Sequence, residues 1–244
     1  SPAMSHAPHT SAASSPCAML VVAAGRGNRF GDSLPKQYHP LAGQPLLFRT
    51  LEALHRHPLV STIQVVIARD DEHYHQVITP LLHLLPKVRP PVFGGAERQD
   101  SVQKGLDALE LPQDHWVGIH DAARPLLSLS LLDRLLAARD GVQALIPALA
   151  AQDTIKQSDG SHFIQQTIPR QTIWLAQTPQ LFHLGLIRQA HETYDRNLPA
   201  TDDAAMVEKL GFPVLLVEGE SQNIKITRRQ DLALAEWYLA NPQS

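Results

Sequence analysis

The run Met19-Leu20-Val21-Val22-Ala23-Ala24 has no polar residue at alternate positions. A strand with one solvated face would alternate, so this run fits a strand covered on both faces, as in a parallel sheet between helices. It empties into Gly25-Arg26-Gly27, with Arg29 and Lys36 following. Glycines let backbone N–H groups approach an anion closely, and the two cations bring charge to the same place. That is the composition of a phosphate-binding loop, although the glycines alone fit a tight turn with solvated cations equally well. The dinucleotide fingerprint would need a third glycine where Phe30 stands, and an acid about 20 residues further on. Asp70 and Asp71 come too late for that role, and the absence of Gly-Lys-Ser/Thr excludes the Walker loop.

Downstream, apolar runs and helical patterns take turns. Gly43-Gln44-Pro45 opens a helix with Leu47, Leu51 and Leu54 on one side, and 63–68 is a second buried strand. Residues 72–85 have a helical pattern that Pro80 should bend or interrupt. Residues 88–93 form a weak strand, since Pro90 and Pro91 suit an edge. A second glycine loop, Gly94-Gly95-Ala96-Glu97-Arg98-Gln99-Asp100-Ser101, opens a helix carrying Val102, Leu106 and Leu109. A strand at 116–120 stops at Asp121-Ala122-Ala123-Arg124-Pro125, a helix covers 130–139, and 144–149 is again a strand. This alternation predicts an α/β, Rossmann-like fold: a mostly parallel sheet with helices on both faces. Ligands of such sheets sit beyond the carboxyl ends of the strands. The loops at Gly25, Gly94 and Asp121 all fall at that edge.

The rhythm then changes. Extended stretches at 153–157 and 162–168 flank Ser158-Asp159-Gly160-Ser161, an Asp-Gly hairpin signal foreign to a βαβ chain. We expect an inserted β-hairpin arm at about 151–172 that reaches across a second copy, against the alternative of a flap on a monomer. Beyond it the pattern predicts an extended stretch at 174–178, a helix at 181–194, and a helix capped by Thr201 with Asp202 and Asp203 in its first turn. Strands at 214–217 and 223–227 and a final helix with Leu232, Leu234, Ala235 and Tyr238 complete the chain. The expected organisation is one domain at 17–241 behind a disordered or artificial lead-in at 1–16.

Composition excludes several classes. The 244 residues carry a net charge of −3, so no basic field for nucleic acid exists and any anion specificity is local. One cysteine, Cys17, allows no internal disulfide and no cysteine-built metal site. No apolar run approaches the ~20 residues of a membrane span, and 1–16 lacks the apolar core of a secretory signal. The expectation is a soluble, cytoplasmic protein. His6 and His9 are tail histidines without ligand spacing.

Six motifs occur in order: AAGRGNRF, PKQY at 35–38, GGAERQDS, HDAARP, TPQ at 178–180 and NIKIT. Each is unspecific alone. Together, over about 17–239, they resemble the 2-C-methyl-D-erythritol 4-phosphate cytidylyltransferases of the non-mevalonate isoprenoid pathway. The resemblance implies transfer of CMP from CTP to a methylerythritol phosphate, with a divalent metal, Mg2+ by expectation, and a homodimer formed through the arm. It implies that Arg29 and Lys36 stabilise the transition state. Ala23, Ala24, Gly25 and Gly27 would cradle CTP, and Gly95, Ala96, Ser101 and Ala122 would contact cytosine and ribose. Ala96 stands where an aspartate is expected in many members, which puts that contact in question. Asp121 would bind the metal, with Asn223 as the nearest candidate for a second contact. Arg124, Thr154, Arg170, Thr201 and Lys225 would bind the sugar phosphate, Thr154 and Arg170 from across the dimer. His120 has no acid–base task in this chemistry. A cytidylyltransferase for another polyol phosphate, such as ribitol 5-phosphate, shares the first two motifs. A nucleotide-sensing module without catalysis is the reading from another class.

Overall fold

The computed structural model describes residues 12–25, 30–31 and 33–242. Gly27, Arg29, His6 and His9 lie outside the described residues. β1 (Cys17–Ala23) is followed by two short strands, β2 (Pro40–Leu41) and β3 (Gln44–Pro45), then α1 (Leu46–His55) and β4 (Val60–Ile67). Next come α2 (Tyr74–Val77), β5 (Val92–Phe93), α3 (Arg98–Asp107), β6 (Trp116–Asp121), α4 (Leu129–Ala137) and β7 (Ala144–Ala150). The arm strands β8 (Ile155–Ser158) and β9 (Ile164–Ile168) precede β10 (Trp174–Ala176) and β11 (Gln180–His183). The chain closes with α5 (Leu184–Thr193), α6 (Asp203–Lys209), β12 (Leu215–Glu218) and α7 (Arg229–Ala240).

β1 is the hinge of the topology. Its neighbours, β4 on one side and β6 on the other, are both parallel to it. The sheet order is β10-β7-β11-β6-β1-β4-β5, with β12 paired in parallel to β7. The chain winds outward from β1 to β5 and then returns to lay β6 on the other flank, so β1 and β6 meet at a topological switch point, where a crevice opens. Only β10 and β11 run against the other strands of this sheet.

Period-two geometry sorts the strand residues between two cores. Met19, Val21, Ile63, Val65 and Trp116 pack with Leu47 and Leu51 of α1 and Leu131 and Leu135 of α4. Ala18, Leu20, Val66, Val117 and Ile119 pack with Val102 and Leu106 of α3, Ile187 of α5 and Val207 of α6. The unalternating apolar runs are therefore explained: the central strands β1, β4 and β6 are buried on both sides. The expected helix over 72–85 is interrupted before Pro80, α2 giving way to a 3-10 turn, Thr79–Leu84. Proline supplies no N–H to continue the ladder.

Three expectations need correction. Residues 181–183 are not helical. Leu181 and Phe182 are both fully buried but belong to opposite cores, which marks a strand, and the helix begins only at Leu184. Thr201 is not the cap of α6; Asp202 is, accepting from the Ala205 N–H at 2.9 Å. Residues 223–227 are not a strand. They pack on the loop after β6, where Ile226 N donates to Ala123 O at 2.8 Å. The last helix forms as expected, with Ala235 fully buried, Leu232 and Tyr238 packed partly buried beside it, and Leu234 and Trp237 exposed.

The hairpin forms as expected, β8 and β9 making a two-stranded antiparallel sheet separate from the main one. Gly160, at φ +92°, takes the left-handed conformation its turn requires. Asp159 Oδ1 accepts from Ser161 N at 2.7 Å and holds that turn. Of the lead-in, Ala12–Ser14 form a 3-10 turn, and Ser15 O accepts from the buried Arg139 below β6.

Candidate functional site

A cleft of about 820 Å³ opens at the carboxyl ends of β1, β4 and β6. That size suits a nucleotide-sized ligand. Ala23, Ala24, Gly25, Lys36, Gly95, Ala96, Ser101, Asp121, Ala122 and Lys225 all line it. Three loops and the 223–227 segment thus converge on one volume.

The first wall is the end of β1. Gln37 Nε2 donates to the Ala23 carbonyl at 3.1 Å, and the Tyr38 hydroxyl donates to Asp71. Asp71 in turn accepts from His73 N and Tyr74 N, both at 2.8 Å, at the start of α2. The short turn Lys36–Tyr38 is therefore fastened to two strand ends, and its first residue, Lys36, is left to the cleft. Burial lowers the Lys36 pKa first, and the like charge of Lys225 lowers it further, against Asp121 and Asp231. Lys36 and Lys225 thus share this cleft, whose described lining also holds Arg69 and Arg98 against Asp70, Glu97 and Asp121.

The second wall is the loop before α3. A Cβ on Gly94 would lie 2.8 Å from the Ala24 Cβ and 2.3 Å from Ser101 Oγ, so only glycine lets the two loops approach this closely. Ser101 Oγ accepts from Gly95 N at 3.2 Å, which holds the loop and leaves its own O–H to donate. Ala96 presents only a methyl group to the cleft.

Asp121 ends β6. Burial raises its pKa, but the charges of Lys225 and Arg124 outweigh burial, so the carboxyl lies below its ordinary value. Arg124 Nε donates to Asp121 Oδ2 at 3.0 Å, while Arg124 Nη1 donates to the Asn223 carbonyl at 2.7 Å. Behind the loop lies His120, which is fully buried and pushed down to about 4 by loss of hydration. Its Nε2 meets Arg124 O at 3.0 Å, and a carbonyl only accepts, so Nε2 carries the proton. Nδ1 of the neutral ring therefore accepts from Thr178 Oγ1 at 2.9 Å, and Thr178 Oγ1 accepts from Asp121 N at 3.0 Å. Both ring nitrogens are consumed in fastening the loop.

A divalent ion needs oxygen ligands here. Asp121 keeps Oδ1 without a partner among the described residues, which fits magnesium, an ion that takes one or two carboxylates and completes its shell with phosphate and water. No group of three His, Cys, Asp or Glu occurs among the described residues, so an all-protein cage of that kind is absent there. Asn223 is fully buried, does not line the cleft, and donates from Nδ2 to Thr178 O at 2.9 Å. Its Oδ1 is buried and has no hydrogen-bond partner among the described residues.

The remaining expected residues are not in the cleft lining. Arg124 stands beside it on Asp121, and Thr201 is exposed just ahead of the α6 cap. Thr154 and Arg170 lie at the base of the arm, where Arg170 donates to Gln152 O. Sequence reasoning missed Gln37, Arg69, Asp70, Glu97 and Arg98 as lining residues. Gln37, Glu97 and Arg98 lie inside recognised motifs, and Arg69 and Asp70 lie just past the end of β4 at the expected binding edge, which was the available signal.

Residues 17–241 match the model of a family described as 2-C-methyl-D-erythritol 4-phosphate cytidylyltransferase, IspD. A protein of that name from Chromobacterium violaceum is 45% identical over 223 residues, covering 91% of this chain and 96% of its own. A bifunctional enzyme IspD/IspF from Rhodospirillum rubrum is 44% identical over 219 residues, 90% of this chain but 56% of the larger protein. Among solved structures, the Francisella tularensis 2-C-methyl-D-erythritol 4-phosphate cytidylyltransferase superposes with a TM-score of 0.76 at 35% identity, covering 91% of this chain and 99% of its own. A 4-diphosphocytidyl-2C-methyl-D-erythritol synthase from Anaerococcus prevotii reaches 0.81 at 30% identity, covering 93% and 100%.

Proposed function

The chain belongs to the 2-C-methyl-D-erythritol 4-phosphate cytidylyltransferase family, and from that we propose that its cleft transfers CMP from CTP to 2-C-methyl-D-erythritol 4-phosphate. A phosphate oxygen of the acceptor attacks the α-phosphorus of CTP. The new O–P bond forms as the bond from that phosphorus to the bridging β-phosphate oxygen breaks, and pyrophosphate leaves. The products are 4-diphosphocytidyl-2-C-methyl-D-erythritol and pyrophosphate.

One observation carries the reading: Lys36, Lys225 and Asp121 line the same cleft, and His120 beside them is sealed off. The nucleophile arrives as an anion, so no base is needed, and catalysis reduces to alignment and stabilisation of charge. Lys36, with Arg29 from the first loop, takes the transition-state role. Backbone N–H groups at 23–25, with Gly27, cradle the triphosphate, while Gly95, Ala96, Ser101 and Ala122 border the nucleoside. Arg124, Thr201 and Lys225 serve the sugar phosphate. A divalent cation, Mg2+ in this reading, neutralises phosphate charge when bound, and Asp121 is the residue that would hold it.

The arm supports a homodimer. Phe163 and Ile164 are 73% and 65% exposed on it, and Trp174 and Leu175 are exposed on β10. A second copy laid across these residues would bury them and bring Thr154 and Arg170 toward the partner's cleft. No described helix is long and apolar enough to cross a membrane, and a cytoplasmic location suits the soluble substrates.

The test is CTP-dependent release of pyrophosphate with methylerythritol phosphate as acceptor, run beside ribitol 5-phosphate. Turnover with the first is expected. Turnover with ribitol 5-phosphate alone would overturn the assignment.

A further inference from the structure

Arg98 opens α3 and lines the cleft, yet it is anchored from behind. Its Nη2 donates to Asp203 Oδ2 at 3.0 Å, and its side chain remains 40% exposed. Asp203 is 1% exposed, and its other oxygen lies 3.1 Å from Nε2 of the buried His191 on α5. A buried carboxylate is costly unless donors surround it. Asp203 therefore fixes both partners, and burial notwithstanding, Arg98 and His191 hold its pKa down at about 2.

The α6 terminus that carries Asp203 is itself locked to the sheet. Asp202 accepts from Gln180 Nε2 at 3.1 Å, and Gln180 Oε1 accepts from Ala204 N at 3.1 Å. The guanidinium has five N–H donors. Among the described residues only Asp203 accepts from it, which leaves the rest of the fork to the cleft. The buried anion and its histidine hold Nη2 of the guanidinium from behind while the side chain lines the cleft, an arrangement that can fix the cation's angle toward a ligand. Gly95, Ala96 and Ser101 of the same loop border the nucleoside in the reading above, whereas Arg98 is tied to the α6 terminus just past Thr201, a residue that reading gives to the sugar phosphate. Burial works against the charge of Arg98, but Asp203 above all, with Asp121 and Asp202 behind it, outweighs burial.

We propose that Arg98 binds the phosphate of the acceptor substrate, and that Asp203 and His191 are positioning residues that set its guanidinium. The inference rests on the cytidylyltransferase reading above. It names a residue of the acceptor site that the motif resemblance leaves without a role.

The experiment is steady-state kinetics of the full chain with CTP and methylerythritol phosphate, varied in turn, alongside thermal melting. Absence of turnover by the wild-type protein would count against the cytidylyltransferase reading itself. Given turnover, Arg98→Gln should raise the KM for the acceptor about 10- to 100-fold, the worth of one charge-assisted hydrogen bond, with the KM for CTP near its wild-type value. Arg98→Lys should recover part of the loss, because charge returns without the fork. Asp203→Asn and His191→Gln should shift the same KM by smaller factors. An unchanged acceptor KM in Arg98→Gln, or a shift confined to CTP, overturns the proposal. So does a set of variants that melt lower but keep wild-type kinetic constants.

Discussion

Acidification should destabilise this protein through His120. The ring is fully buried, and its two nitrogens are committed to Arg124 O and Thr178 Oγ1. A second proton would sit on Nδ1 and face a hydroxyl that already accepts from Asp121 N, so Thr178 would have to stop donating and accept twice. Loss of hydration accordingly takes the pKa from 6.5 to about 4, with Asp121 and the Arg124 carbonyl opposing the fall. Above pH 6.5 the folded and unfolded chains both carry a neutral ring. Between 6.5 and 4 the unfolded chain binds a proton that the folded chain refuses, so stability falls with pH through this window. At about 1.4 kcal/mol per pKa unit the whole window is worth about 3 kcal/mol, of which about 2 kcal/mol is lost between pH 7 and pH 4.5. Stopping at 4.5 keeps the titration of Asp203, held near 2, out of the measurement. The assay is urea unfolding in the presence of a chelator at both pH values, for wild type and His120→Gln. Other histidines with lowered pKa, His55, His115 and His183, titrate in both proteins and cancel in the difference. The variant should be less stable at pH 7 but should lose about 2 kcal/mol less than wild type on going to pH 4.5. Equal losses in the two proteins would refute the account of a sealed neutral ring.

Lys36→Ala should lower kcat by roughly 10²-fold or more, as for removal of one preorganised donor; near-normal turnover would return the nucleotide-sensing module to consideration. Gly94→Ala places a Cβ 2.8 Å from that of Ala24, and should cost about 1–3 kcal/mol of stability and raise the KM for CTP. Identical melting curves and KM values would mean that the two loops are not closely apposed. CTP should raise the melting temperature strongly only when a divalent cation is present, by an amount equivalent to about 2.7 kcal/mol at a hundredfold excess over Kd; equal protection in chelator would count against Asp121 as a metal site. Phe163→Asp combined with Ile164→Asp should shift a sedimenting dimer to monomer and depress activity. A wild-type monomer fully active at nanomolar concentration would exclude a shared site.

Much of this architecture is written in local pattern. Runs such as 19–24 and 116–120 lack alternation because helices cover both faces of the sheet, and that is visible without coordinates. Glycine loops at Gly25 and Gly94 and the acid at Asp121 fall at strand ends, so the sequence alone places them on one edge and predicts a binding site there. The Asp-Gly turn at 159–160 likewise specifies its hairpin, since the φ it needs suits glycine. Local pattern failed where an apolar doublet served two cores. Leu181 and Phe182 look like the start of a helix, and only their burial on opposite faces of β11 makes them a strand.

What the sequence by itself determined, then, is most of the central strands and helices, the edge where the cleft opens and several of the motif residues that line it. Which side chains face the cleft and which brace it was decided by tertiary structure. Asn223 sits in a recognised motif but is sealed beneath Thr178, whereas Arg98 passes for a solvated helix-start cation until Asp203, 105 residues away, is found buried behind it. The physical reason is that desolvation and pairing depend on distance in space. A carboxylate's demand for donors can be met from any part of the chain, and no sequence period records where those donors come from.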